Sequence, residues 1–254
     1  MKKHVKIKNA AVIKFADIQI VDYQQFKKDL AALIAGNCRL SALFVLPHAE
    51  QNLMLAAVSD DADASVHLFA TPCQKEFASL TPDIPQAHWF EREINELHDI
   101  EMPGHPWLKP IRFVAKDGGK SEVLPGVTNY FEVSGEEIHE VAVGPVHAGV
   151  IEPGHFRFQC HGEKVLHLEI ELGYQHRGIE SALMRNQPHQ NLRLIEVAAG
   201  DSTIAHTTAH AMLLESLQDL KIDSNAELVR GIALELERMA NHTGDLGALA
   251  GDVG

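Results

Sequence analysis

The sequence predicts an α+β fold: a small N-terminal α/β domain with an antiparallel sheet, then a β-hairpin element leading into a helical bundle. Three observations carry this. Short apolar or alternating runs bounded by turn residues occupy 39–72. In HGEKVLHLEI and the residues after it, Leu166, Leu168, Ile170 and Leu172 alternate strictly, which predicts a half-buried strand. Beyond that point the apolar period becomes that of helices.

The elements follow in order. VDYQQFKKDLAALIAGN (21–37) sets Phe26, Leu30, Leu33 and Ile34 at helical spacing and ends near Gly36. RLSALFVLP (39–47), QNLMLAAVS (51–59) and ASVHLFATP (64–72) predict three sequential strands in an antiparallel meander. PQAHWFEREINELHDI (85–100) predicts a helix with Trp89, Ile94 and Leu97 toward the core, ended by Pro103, Gly104 and Pro106. The polar, glycine-containing stretch 116–136 predicts a linker between domains at 1–115 and 137–254. HEVAVGPV (139–146) predicts a strand, and HFRFQC (155–160) with EKVLHLEIEL (163–172) a hairpin around His161 and Gly162. Helices are expected over 178–186, 188–197, 202–220 and 224–245. Asp201 or Ser202 is the expected cap of the third, and Ser224 with Glu227 the capping box of the fourth. The closing GALAGDVG predicts no finishing element and reads as part of a longer subunit whose bundle is truncated here.

Bulk properties exclude several function classes. Two modest domains fit in 254 residues. Acidic residues outnumber basic ones 35 to 22, for a net charge of -13, and no Lys/Arg cluster is present; both disfavour a nucleic-acid partner. Cys38, Cys73 and Cys160 are far apart and odd in number, so they read as reduced thiols of a cytoplasmic protein. No signal peptide and no membrane-spanning apolar run is visible, so contact with a membrane is expected through partners.

Three stretches carry candidate chemistry. VGPVHAGVIEPGHFRF (143–158) is a Gly/Pro-rich loop holding His147, Glu152 and His155; an ordinary solvated loop explains it about as well. HRGIE (176–180) sets a carboxylate near a permanent guanidinium, the tension a proton-handling site needs, although a structural salt bridge is the commoner outcome. EVAAGDSTIAHTTAH (196–210) places His206 and His210 on one helical face, but Thr207 stands where zinc hydrolases have glutamate. No phosphate-binding glycine loop and no nucleophile elbow is present.

These residues also carry a resemblance. GPVHAGVIEPGHFRF, a hairpin, YQHRGIE and a helix pair together resemble the start of the large subunit of energy-converting nickel–iron hydrogenases and the homologous quinone-site subunit of complex I. FEREINELHDIEMPGHPWLKPIRF (90–113) resembles the small hydrophilic complex I subunit beside it. A fusion of the two is similar to formate hydrogenlyase-type enzymes. The resemblance implies a subunit of a membrane-associated oxidoreductase related to formate hydrogenlyase, hydrogenase-4 and NADH-quinone oxidoreductase. It would couple electron transport to proton translocation on the cytoplasmic face of the membrane. The alternative it implies is a non-catalytic structural or proton-path subunit of the same assembly.

By motif match Glu152 resembles the hydrogenase proton-transfer glutamate, and His176, Arg177 and Glu180 resemble the corner beside the catalytic site. Glu152, Glu180, Glu196 and Asp201, with His147, His155, His176 and His206, would line an acidic pocket. The C-x-x-C that hydrogenases carry before the equivalent of His206 is replaced by Ala199 and Ser202, which argues against a nickel–iron centre. No cofactor is then expected in this chain. A quinone tail in an apolar cavity stays open, and iron–sulfur clusters are expected on partners: an iron–sulfur small subunit and membrane subunits. The apolar helix faces further imply self-association of the isolated chain.

Overall fold

The computed structural model describes residues 4–48, 51–113, 129–145, 152–187 and 190–254. Its packing divides the chain into two compact units, Met1–Pro145 with Gly154–Tyr174, and Val146–Pro153 with Gln175–Gly254. The architecture is α+β, as the sequence predicts.

The first unit is built on a five-stranded sheet. β3 (Arg39–Leu46), β4 (Leu53–Asp60) and β5 (Ser65–Pro72) form the expected antiparallel meander. Two strands were not foreseen. β1 (Val5–Lys8) adds antiparallel to β5, giving the order β1-β5-β4-β3, and β2 (Gln19–Ile20) runs parallel to β5. VKIK and QI are too short to show a period in the sequence. β4 lies at the centre and is buried on both faces. Met54, Ala56 and Val58 join the main core, while Leu53 and Leu55 meet Ala70 on the other side.

α1 (Tyr23–Ala35) covers the main core with Phe26 and Leu30, and Leu33 and Ile34 pack beside them. Its start is fixed by Asp22, whose carboxylate accepts from the Gln25 backbone N–H at 2.9 Å. α2 (His88–His98) follows one 3₁₀ turn at Pro85–Ala87. Ile94 is buried as expected, but Trp89 and Leu97 are not core residues; they are 44% and 42% exposed. The inner face instead holds Glu91 and Arg92, because each finds polar partners there. Glu91 accepts from Ser79 Oγ (2.6 Å), Leu80 N (2.7 Å), Thr81 N (3.1 Å) and Thr81 Oγ1 (2.6 Å). Arg92 donates to the carbonyls of Lys109 and Pro110 and lies 4.5 Å over the Trp89 ring. The helix stops at His98, before the prolines, since Asp99 turns into the left-handed region (φ 55°).

A second antiparallel sheet belongs to the same unit, in the order β6 (Ile138–Val143), β7 (His155–His161), β8 (Lys164–Glu171). The hairpin turns at Gly162 (φ 56°), a conformation glycine adopts without strain. β8 alternates as predicted, but its sides are reversed. Leu166, Leu168 and Ile170 are exposed, with Val141 and Val143 of β6 exposed on the same face. Glu169 and Glu171 are buried. Of the expected linker, 116–128 lies outside the described residues. Within the rest, Tyr130 and Phe131 are bonded to β8.

The second unit is helical: α3 (Ile179–Arg185), α4 (Asn191–Glu196), α5 (Thr203–Leu217) and α6 (Ser224–Val253). All four lie where the period places them, with corrections at the ends. α6 runs through GALAGDV to Val253, because its alanines and leucines sustain the helix that the interspersed glycines weaken. Its predicted capping box does not form: Asp223 is the cap position, and it makes no side-chain cap bond. Neither Asp201 nor Ser202 caps α5 through a side chain. Leu213, Leu217, Leu228, Ile232, Leu236 and Met239 are exposed. Among the described residues no helix is long and apolar enough to cross a membrane.

Candidate functional site

Gly178, left-handed at φ 66°, carries the chain into α3. That turn presents Arg177 to the segment joining α4 and α5. The guanidinium donates from Nη2 to the carbonyls of Val197 (2.7 Å) and Ala198 (3.0 Å). Two further side chains hold the same segment. Thr203 Oγ1 donates to the Glu196 carbonyl at 2.9 Å, and Asn241 Nδ2 on α6 donates to the Asp201 carbonyl at 2.6 Å. The structure therefore gathers Arg177, Glu196 and Asp201 around one turn, through backbone carbonyls rather than through their acids.

Glu196 is half-buried at the end of α4. Asp201, His176, Glu180, Glu152 and His206 are exposed in this chain, while His210 is half-buried. His147 lies outside the described residues. His155 belongs to the other unit and is buried, with Nδ1 3.4 Å from the Gly144 carbonyl oxygen and its ring 5.3 Å from that of Tyr130.

Sequence reasoning missed Glu237. From the middle of α6 its carboxylate accepts from the first free N–H groups of α5, Ile204 (2.6 Å) and Ala205 (3.0 Å). A cap from a distant helix leaves no local sequence signal.

It also missed an ionic face on the second sheet. Glu169, 3% exposed, pairs with Lys109 and accepts from the Phe131 N–H at 2.8 Å. Glu171, 7% exposed, accepts from the Tyr130 hydroxyl at 2.6 Å. On β6 and β7, Glu140 pairs with Arg157 and accepts from Gln159 Nε2 at 2.6 Å. Arg157 lies 4.1 Å over the Tyr130 ring. Burial, helped by Glu171, pushes the Tyr174 hydroxyl above its ordinary value. Burial pushes the Arg92 guanidinium down, against the pull of Glu96, Glu169 and Glu171. Charges held this way keep fixed partners, so the face holds its groups in place. One signal was present: acids alternate with apolar residues at 169 and 171, and both faces of a strand have to be weighed.

Several known proteins are similar to this chain. Formate hydrogenlyase subunit 5 of Escherichia coli (strain K12) is 27% identical over 190 residues, 68% of this chain and 33% of the relative. The carbon monoxide-induced hydrogenase of Rhodospirillum rubrum is 34% identical over 116 residues, 46% of this chain and 32% of that protein. The C/D subunit of NADH-quinone oxidoreductase from Azotobacter vinelandii is 23% identical over 241 residues, 82% of this chain and 41% of that protein. The chain thus spans about a third to two fifths of the length of these curated relatives. Residues 7–120, which include β2 to β5, α1 and α2, match the family described as respiratory-chain NADH dehydrogenase, 30 Kd subunit, so the chain is homologous to subunits of hydrogenase and NADH-quinone oxidoreductase complexes.

Proposed function

We propose that the chain works as a subunit of a membrane-associated oxidoreductase complex of the hydrogenase and complex I lineage, where it handles protons beside redox centres held by partner subunits. One observation supports the reading: the likeness is not confined to residues 7–120, because an alignment over 82% of this chain reaches both compact units wherever it begins.

The residues at the turn before α5 do not fit a nickel–iron centre. Ala199 and Ser202 offer a methyl group and a hydroxyl where soft thiolates are needed. Iron–sulfur clusters, and a quinone where one takes part, belong to the iron–sulfur and membrane partners in this reading. Glu152, Glu180 and His176 are the proton-carrying groups. They are exposed in this chain and acquire shielding only when a partner or a further segment covers them. Arg177 positions the turn that carries Glu196 and Asp201.

The exposed apolar residues of α5 and α6 favour a second reading, a structural subunit whose task is assembly. The intact complex separates the two. Proton handling predicts that Glu152→Gln and Glu180→Gln lower turnover or proton movement while the complex stays assembled and nickel analysis of this subunit is negative. Unchanged turnover in both variants overturns it and leaves the assembly role. Stoichiometric nickel on this subunit overturns the claim about the metal.

A further inference from the structure

Cys38, Asp60 and His67 meet at one edge of the first sheet, remote in sequence from Arg177 and the acids of the helical unit. Cys38 lies directly before β3, Asp60 ends β4 and His67 is in β5. One ligand-capable atom from each lies within 4.8 Å of the others. We propose that these three residues form a binding site for a divalent transition-metal cation of the zinc class.

The second observation is the state of His67. It is 5% exposed, and its Nδ1 is buried with no hydrogen-bond partner among the described residues. Nε2 comes to 3.8 Å from Asp60 Oδ2, beyond hydrogen-bond reach. A buried ring nitrogen without a bond is costly, and the separation between Nε2 and the Asp60 carboxylate is one a metal ion spans. Zinc bond lengths at a tetrahedral angle separate two N/O ligands by about 3.3 Å and an S/N pair by about 3.6 Å. Closing the present separations needs side-chain shifts of roughly 1 Å or less. One thiol, one imidazole and one carboxylate form a mixed set suited to zinc, and three protein ligands leave a fourth position for water. His4 packs edge-on against the His67 ring at 4.5 Å and limits its rotation.

Lys6 competes for the same carboxylate. Its Nζ lies 3.4 Å from Asp60 Oδ2 and also pairs with Asp63. Lys6 is well exposed, so a cation at Asp60 displaces it onto Asp63, the partner it already has. Removing its charge should therefore strengthen metal binding, which a merely structural ion pair would not do.

The test uses the full protein, freed of metal with a chelator and titrated with Co²⁺ as a spectroscopic stand-in for Zn²⁺. The expected result is one Co²⁺ per chain with a thiolate-to-cobalt absorption band that Zn²⁺ abolishes. Cys38→Ser should lose the band and Cys73→Ser keep it. His67→Gln should weaken binding by about ten-fold or more, and Lys6→Met should tighten it. Absence of the band, or a band that survives Cys38→Ser, overturns the proposal. Should His67→Gln fail to fold, the Lys6→Met titration decides: affinity unchanged or reduced overturns the proposal as well.

Discussion

The carboxylate of Glu237, in the middle of α6, closes the N-terminus of α5 through the N–H groups of Ile204 and Ala205. The α5 start carries a partial positive charge and free donors, so a carboxylate there answers both needs at once. Neither Asp201 nor Ser202 supplies that service locally. The contact also ties α5 to α6 beside the turn that Arg177 holds.

Glu237→Ala should cost about 1–2 kcal/mol of the helical unit's stability. Amide hydrogen exchange is the sharper measurement. Ile204 and Ala205 should lose protection selectively, while amides in the middle of α6 keep theirs. Equal loss along both helices would mean that the carboxylate contributes packing rather than a cap.

The histidines of the first unit make stability pH-dependent. His105 Nδ1 accepts from the Trp107 backbone N–H at 3.0 Å, which leaves Nε2 to carry the proton and face the His88 carbonyl at 3.2 Å. A second proton on that ring has no acceptor. Burial holds His105 below its ordinary value, and burial with the nearby Arg92 does the same for His88. The unfolded chain therefore binds more protons than the folded one as pH falls through about 6.5, and stability drops with it. The contribution is complete above that pH. Thermal unfolding between about pH 7.5 and 5 should show a falling midpoint, with a shallower slope in His105→Gln. An identical slope in that variant would assign the effect to other groups.

These elements differ in how far they show in the sequence. The meander, α1, α5 and α6 are legible as apolar runs or periods of the right length bounded by turn residues, β4 as a continuous apolar run because both its faces are covered. β1 and β2 are too short to carry a period. The hairpin was legible as a strand pair, yet its inside was not. Leu166, Leu168 and Ile170 point to a core by hydropathy alone, whereas the covered face is set by Lys109, Tyr130 and Phe131, which arrive from other parts of the chain. Trp89 and Leu97 were misplaced for the same reason: Glu91 is saturated by Ser79, Leu80 and Thr81, and that network takes the inner side of α2. At the candidate site, the order of motifs marked Arg177 and its neighbours. Their real contacts run to backbone carbonyls, which no residue pattern encodes.

The Lys109–Glu169 pair allows the inverted face of the second sheet to be tested. Removing one partner leaves a buried charge uncompensated, so Lys109→Met should destabilise by about 3–5 kcal/mol. Glu169 would still accept the Phe131 N–H, but one hydrogen bond does not replace a cation for a residue 3% exposed. Glu169→Leu should cost less, since Lys109 is 25% exposed and keeps the Asn129 carbonyl as a partner. The double variant removes both charges and fills the space with apolar atoms, and the cost of two such charges no longer arises. Its stability should recover to well above the sum of the single losses, with a coupling of about 1–3 kcal/mol by denaturant unfolding. Simple additivity would place the two side chains in water, and the acidic side of β8 would then be its outer face.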